Sequence, residues 1–236
     1  MYPVNLALQK KLCVVVGGGS VAERKVLGLL DAGALVRVIS PELTPALQNL
    51  AQEGRIAWLQ KTFAASEGAA GNAPNDLPDL AGALLVFAAT SVPAVQGAVL
   101  AAAQQAGCLV NVADAPAQCD FHVPAVVRRG DLLFTVSTSG KSPALAAALK
   151  SRLEREIGVE YARLVTLLGV LRSEVLALPL SGAEKKMLFQ KLLDSDIIQW
   201  IREERKDLLA AHVQEILGHL VPIEPALHRL WTNETP

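Results

Sequence analysis

The residues with the clearest chemical purpose are VVVGGGSVAERK, 14–25, where three glycines follow a valine run and lead into a helix-like segment. Gly17, Gly19 and Ala22 stand in the pattern G-x-G-x-x-A. The first glycine permits a tight turn, the second lets backbone N–H groups approach a pyrophosphate, and the small Ala allows a helix to pack closely on a sheet. A helix opening there adds partial positive charge and unpaired donors. Ser20 and Glu23 also have capping-box spacing, which by itself would only close a helix end. A dinucleotide site of this kind usually carries an acid after the second strand, to grip the ribose. Here Ser40 holds that place, with Glu42 two residues on, so Glu42 and backbone groups at Pro41 are the candidates. No Arg adjoins Ser40 to meet a 2′-phosphate, which favours NAD over NADP.

Three other groups could do chemistry. Asp114, in NVADAP, follows an expected strand at the end where open α/β sheets place ligand-contacting residues; the alternative is an ordinary turn aspartate. STSGKSP, 137–143, offers hydroxyls, Lys141 and a helix start that together resemble an anion nest, or else a plain capped loop. Cys119 and His122 are three apart, but no second pair completes a four-ligand site, so no metal site is expected. His212 and His219 are expected to be solvated, and so are Arg128 and Arg129 in RRGD.

Strands are expected at 12–17, 35–40, 56–60, 83–90, 109–114 and 132–139, with helices at Val21–Ala32, Leu43–Gln52 and Val92–Ala106. Such alternation predicts an α/β fold, a Rossmann-like parallel sheet with helices on both faces. Residues 66–80, rich in Gly, Pro, Asn and Asp, read as a surface loop. After Gly140 the periodicity is helical, with Pro143 behind a Ser start, a fresh start at Ser181 and Glu184, and a tail from Val221 expected to be irregular.

Composition narrows the function classes. With 51% hydrophobic residues, 19% charged and a net charge of −1, the 236-residue chain suits a globular protein, not one that coats nucleic acid. Aromatics at 4% argue against stacking on single strands. The three cysteines show no framework spacing, and no run of eighteen apolar residues occurs, so a cytoplasmic protein without a membrane span is expected.

Several blocks occur in a specific order: VVVGGGSVAERKVLGLLDAGA, then AATS (88–91), NVADAPAQCDFHVPA (111–125) and VSTSGKSPALAAALKSRLE (136–154). In this order they resemble the precorrin-2 dehydrogenase and sirohydrochlorin ferrochelatase family, the N-terminal module of siroheme synthase. The resemblance covers roughly residues 1–155. It implies NAD-dependent oxidation of precorrin-2 to sirohydrochlorin on a homodimer, with no nucleic-acid or membrane partner. It divides the chain into a Rossmann domain (1–115), a dimerisation and substrate region (116–155) and a helical C-terminal domain (156–236). It places the nucleotide at Gly17, Gly19, Ser20, Val21, Ala22, Pro41, Glu42 and Thr90, and matches Asp114 to the family's catalytic carboxylate. Ser137, Thr138, Lys141, Ser142 and His122 become candidates for the polycarboxylate substrate. The family's Asp after AAT and the Asn a few residues later are here Ser91 and Gln96. Ferrous iron insertion and a non-catalytic NAD sensor are the alternative readings.

Overall fold

Short apolar runs rich in β-branched residues extend into β1 (Leu12–Val16), β2 (Leu35–Ile39), β3 (Ala57–Leu59), β4 (Ala83–Ala88) and β5 (Leu109–Val112). They pair in parallel in the order β3-β2-β1-β4-β5, in a computed structural model that describes residues 1–64 and 77–232. Crossovers run through α1 (Ser20–Asp31), α2 (Pro45–Gln52) and α3 (Pro93–Gln105). Cys13 and Val15 of β1 pack with Ala22, Val26 and Leu29 of α1 and with Leu47 and Leu50 of α2. Val14 and Val16 point the other way, to Val99, Ala102 and Ala103 of α3. Because helices cover both faces, the strand is apolar at every position instead of alternating. The expected Rossmann-like sheet is therefore present. Of the loop expected over 66–80, residues 66–76 lie outside the described residues.

Register decides where the loops emerge. Val16 pairs with Ile39 and Ala88, Ile39 with Leu59, and Ala88 with Val112, so the five strands end on one line. The ladder continues one step further, with Gly17 N donating to Ile39 O (2.9 Å), Ala89 N to Val16 O (2.8 Å) and Ala113 N to Ala88 O (3.0 Å). Gly17, Ser40, Ala89 and Ala113 thus leave the sheet side by side at its C-terminal edge.

The chain divides into two compact units, Met1–Val123 and Pro124–Pro236. The second begins with an antiparallel hairpin of β6 (Ala125–Arg129) and β7 (Leu132–Val136), of which only the second strand is expected from the sequence. α4 (Pro143–Glu156) follows, capped by Ser142 as its punctuation predicts. The helices α5 (Glu160–Ala177), α6 (Gly182–Leu193), α7 (Ile197–Arg202), α8 (Lys206–Leu217) and α9 (Glu224–Thr232) enclose one core. Leu164, Leu167, Leu171 and Val175 line one face of α5, and Leu209, Val213 and Leu217 one face of α8. The capping box at Ser181 and Glu184 forms with both of its bonds. α9 corrects the irregular tail: Ala226 and Leu230, one turn apart, are buried in that core, and Pro225 is tolerated in the first turn. His212 is likewise not simply solvated, because its Nε2 lies 3.3 Å from Leu192 O and its ring meets Trp200 edge-on. Among the described residues no helix is long and apolar enough to cross a membrane.

One ion pair ties the first helix of this bundle to α7. The buried carboxylate of Glu160 accepts from Arg202 Nε at 3.1 Å and Nη2 at 2.5 Å. Burial pushes the Glu160 carboxyl up, but the Arg202 bonds and charge, with backbone N–H groups, hold it below its ordinary 4.5. A depressed carboxyl contributes stability that is present above the unfolded value and lost as pH falls through the folded one. Glu160→Gln is therefore expected to melt below the wild type at pH 7, with the difference vanishing as the pH is taken well below 4.5. Melting curves of both proteins from pH 7 to pH 3 check this; a constant difference would contradict it.

Candidate cofactor and active site

Each of the three glycines meets a different constraint. Gly17 has φ +124°, and a Cβ there would overlap the Ala89 carbonyl of the β4–α3 loop. At Gly18 a Cβ would overlap the Glu42 carbonyl and come within 2.8 Å of Ser40 Oγ. Thr44 N also donates to Gly18 O at 2.9 Å, drawing the β2–α2 loop over the glycines. Gly19 differs: its backbone is ordinary extended chain (φ −86°, ψ −172°), and a Cβ would meet nothing within 4 Å. Internal packing accounts for two bare residues but not for the third. Open space over Gly19 is what a pyrophosphate requires.

The capping box that the spacing of Ser20 and Glu23 allows does not form. Gly19 is the N-cap of α1 and no side chain caps it; Glu23 instead accepts from Thr44 Oγ1 at 2.6 Å. The first backbone bond is Glu23 N to Gly19 O (2.9 Å), which leaves Ser20, Val21 and Ala22 N–H without partners among the described residues. Those donors and the helix dipole face the open space. Ala22 is fully buried against the sheet, as the small third position requires.

At the ribose end Ser40 is buried, its carbonyl taken by Trp58 Nε1 at 2.9 Å, while Pro41 and Glu42 are exposed. The nearby cations are committed elsewhere: Arg37 to Asp79 O (2.8 Å) and Lys61 to the Asp79 carboxylate (2.8 Å). A depression of about 520 Å³ between α2 and β3, lined by Gln48, Ala51, Gln52 and Trp58, includes none of the expected site residues.

Beyond β4 and β5 lie Thr90 and Asp114. Thr90 Oγ1 accepts from Val92 N at 3.3 Å. Asp114 is exposed and has φ +60°, a left-handed conformation uncommon outside glycine, though aspartate tolerates it better than most residues. Ala115 N reaches Val112 O at 3.4 Å, closing a four-residue turn with Asp114 in third place, where type II turns need positive φ. Its carboxylate makes no hydrogen bond to another described residue. Two side chains support this edge in roles the sequence did not give them. Gln96 Nε2 donates to Thr90 O (2.7 Å) and to Ala113 O (3.3 Å), joining the two loops. Cys119 Sγ accepts from Val112 N (3.2 Å) beneath the turn. The sequence marks Gln96 only as standing where the resembled family carries Asn; a polar side chain in the first turns of an otherwise Ala- and Val-rich helix is the further signal. His122 Nε2 lies 3.3 Å from Pro116 O, and among the described residues Cys119 and His122 join no group of three metal-ligating side chains.

The remaining candidates belong to the second unit. Ser139 (φ 52°) and Gly140 (φ 78°) form a turn closed by Lys141 N to Thr138 O at 3.0 Å. Ser137 Oγ accepts from Ser139 N (3.2 Å), Thr138 Oγ1 from Ser142 N (3.0 Å) and Ser142 Oγ from Leu145 N (3.2 Å). Most donors of the expected nest are thus used within the loop, and the exposed Lys141 remains as its charged group. Arg129 caps the end of α4 through Glu154 O (3.0 Å) and Ile157 O (2.8 Å), while Arg128 is exposed.

Residues 4–125, carrying the whole glycine loop and its sheet, match the family described as "Putative NAD(P)-binding". The chain belongs to this NAD(P)-binding family. The matched residues include the loop at Gly17–Ala22, where the space over Gly19 and the unpaired donors of α1 leave room for an anionic group. The chain is also 35% identical over 216 residues to a siroheme synthase of Methylobacillus flagellatus, covering 92% of itself and 44% of that protein. It is 37% identical over 194 residues to siroheme synthase 3 of Aeromonas hydrophila, covering 82% of itself and 39% of the relative. It therefore spans less than half the length of these relatives. Among solved structures it resembles SirC, a precorrin-2 dehydrogenase, at 26% identity and TM-score 0.72, covering 92% of this chain and 100% of the other.

The two kinds of glycine separate experimentally. Gly17→Ala is expected to destabilise the first unit by about 1–3 kcal/mol, from its positive φ alone. Gly19→Ala should leave the melting temperature unchanged and weaken NAD binding by about tenfold or more. Thermal melts and calorimetric titration distinguish the two; unaltered NAD affinity in Gly19→Ala would remove that position from the site.

Proposed function

We propose that the chain is a dehydrogenase that oxidises precorrin-2 to sirohydrochlorin with NAD as the acceptor. The observation that carries this reading is the left-handed, exposed Asp114 on the sheet edge that also presents the glycine loop. Its support is the similarity to a precorrin-2 dehydrogenase over that protein's full length and to the siroheme synthases. Bound NAD supplies the acceptor for the hydride lost by the reduced macrocycle. Ser20, Val21 and Ala22 offer backbone donors to its phosphates, Pro41 and Glu42 face its ribose, and Thr90 lies toward its nicotinamide. Glu42 and the absence of any cation from residues 40–44 support NAD over NADP, since a 2′-phosphate there would meet a carboxylate. Asp114 accepts a proton as conjugation extends, or orients the ring through its pyrrole N–H groups. Lys141, Ser137, Thr138, Ser142 and His122 are the proposed contacts for substrate carboxylates.

The proposal extends to assembly and location. Residues 1–115 hold the cofactor, 116–155 form the dimer and substrate region, and 156–236 form the helical domain. No residue of α4 is buried, and Leu145 (52% exposed) and Leu149 (39%) share one face, a surface suited to a second copy of the chain. The three cysteines are unpaired, which suits the cytoplasm. The double substitution Leu145→Asp, Leu149→Asp is expected to yield monomers in analytical ultracentrifugation; an unshifted dimer would place the interface elsewhere.

The test of the reaction is an anaerobic absorbance assay with precorrin-2 and either NAD or NADP. Sirohydrochlorin should form faster with NAD. Asp114→Asn keeps a residue that tolerates left-handed backbone but removes the carboxylate, and should lower turnover about 100-fold or more while NAD still binds. NAD binding without turnover by the wild type would favour the sensor reading, and ferrous iron added afterwards tests for chelation above the spontaneous rate.

A further inference from the structure

The turn that carries Asp114 has a competitor close in energy. Types I and II share the same end residues and differ by a flip of the central peptide, here the one joining Ala113 to Asp114. In the first form Asp114 would have negative φ and its carboxylate would leave in another direction. The oxygen of Ala113 and the N–H of Asp114 lie in one peptide plane, so whatever grips the oxygen fixes the plane and with it the φ of Asp114. Gln96 grips it. Its Nε2 is anchored at 2.7 Å on Thr90 O and directs its second hydrogen to Ala113 O at 3.3 Å. Cys119 secures Val112 from below but bonds neither atom of the flipping peptide.

We infer that Gln96 is a positioning residue that selects the left-handed form of Asp114 and ties it to the Thr90 loop, so that the carboxylate and the nicotinamide end of the site are set together. The inference rests on the proposed dehydrogenation for its kinetic consequence, and not for its structural one. A leucine fills the space of Gln96 without donors, and an asparagine is one methylene too short to span both carbonyls.

The experiment compares the full-length wild type, Gln96→Leu, Gln96→Asn, Asp114→Asn and the Gln96→Leu, Asp114→Asn double variant. Both single Gln96 variants should lose about 10- to 100-fold in kcat, as small displacements of a reacting group do. Their affinity for ADP-ribose, which lacks the nicotinamide, should stay within about twofold of the wild type, a smaller change than misfolding would give. The double variant should be no slower than Asp114→Asn alone, because Gln96 acts through that residue. A crystal structure of Gln96→Leu, or of Gln96→Asn if the first folds poorly, should show Asp114 at negative φ. Unchanged kcat, losses that multiply in the double variant, or Asp114 still left-handed would each overturn the inference. A wild type that turns over no precorrin-2 would instead overturn the proposed reaction, and the crystal structure would then decide the role of Gln96 alone.

Discussion

The parallel pairing of β1 with β4 is the constraint on which the site depends. It brings the backbone of Gly17 against the Ala89 carbonyl so closely that no side chain fits between them. This is also where the strand order reverses direction, since β2 lies on one side of β1 and β4 on the other. Open α/β sheets bind ligands at such a reversal because loops on the two sides diverge and leave a crevice. The register then sets Ser40, Ala89 and Ala113 level with Gly17. Chemistry spread over about a hundred residues of chain thereby meets at one edge.

The energies that shape this edge are small and comparable. A residue with a Cβ in left-handed backbone costs roughly 1–2 kcal/mol. A typical hydrogen bond returns a net of about 0.5–1.5 kcal/mol. One or two well-placed bonds therefore suffice to hold Asp114 where an unsupported turn would not. The same scale applies at α1. Its side-chain cap is absent and Glu23 bonds Thr44 instead, so three N–H groups stay available. The loop gives up a modest local stabilisation, and the free donors suit an anion.

The second unit follows another logic. Its stability comes from the faces of α5 and α8 and from the short helices packed on them, with Glu160 and Arg202 as the charged tie. α4 has no buried residue, and its Leu145 and Leu149 are not covered by its own unit. Isolated apolar residues on a surface are ordinary, but a run of Ala and Leu along one helix is a contiguous face.

Much of this was legible in the residues themselves. Valine runs with helical segments between them specify a parallel sheet, because only a strand covered on both faces is apolar throughout. G-x-G-x-x-A opens a helix directly after the first strand, and Ser181 with Glu184 marks another helix start, since both patterns act within a few residues. The tertiary structure decided what those local patterns left open. Ser20 and Glu23 form no capping box because Thr44, distant in sequence, competes for the carboxylate. The tail folds into α9 because a core formed by α5 and α8 receives Ala226 and Leu230. Gln96 touches Ala113, and Asp114 turns left-handed, only because β4 and β5 are adjacent. Local patterns dictate propensity; which partner completes a hydrogen bond depends on distances that exist only once the sheet has formed.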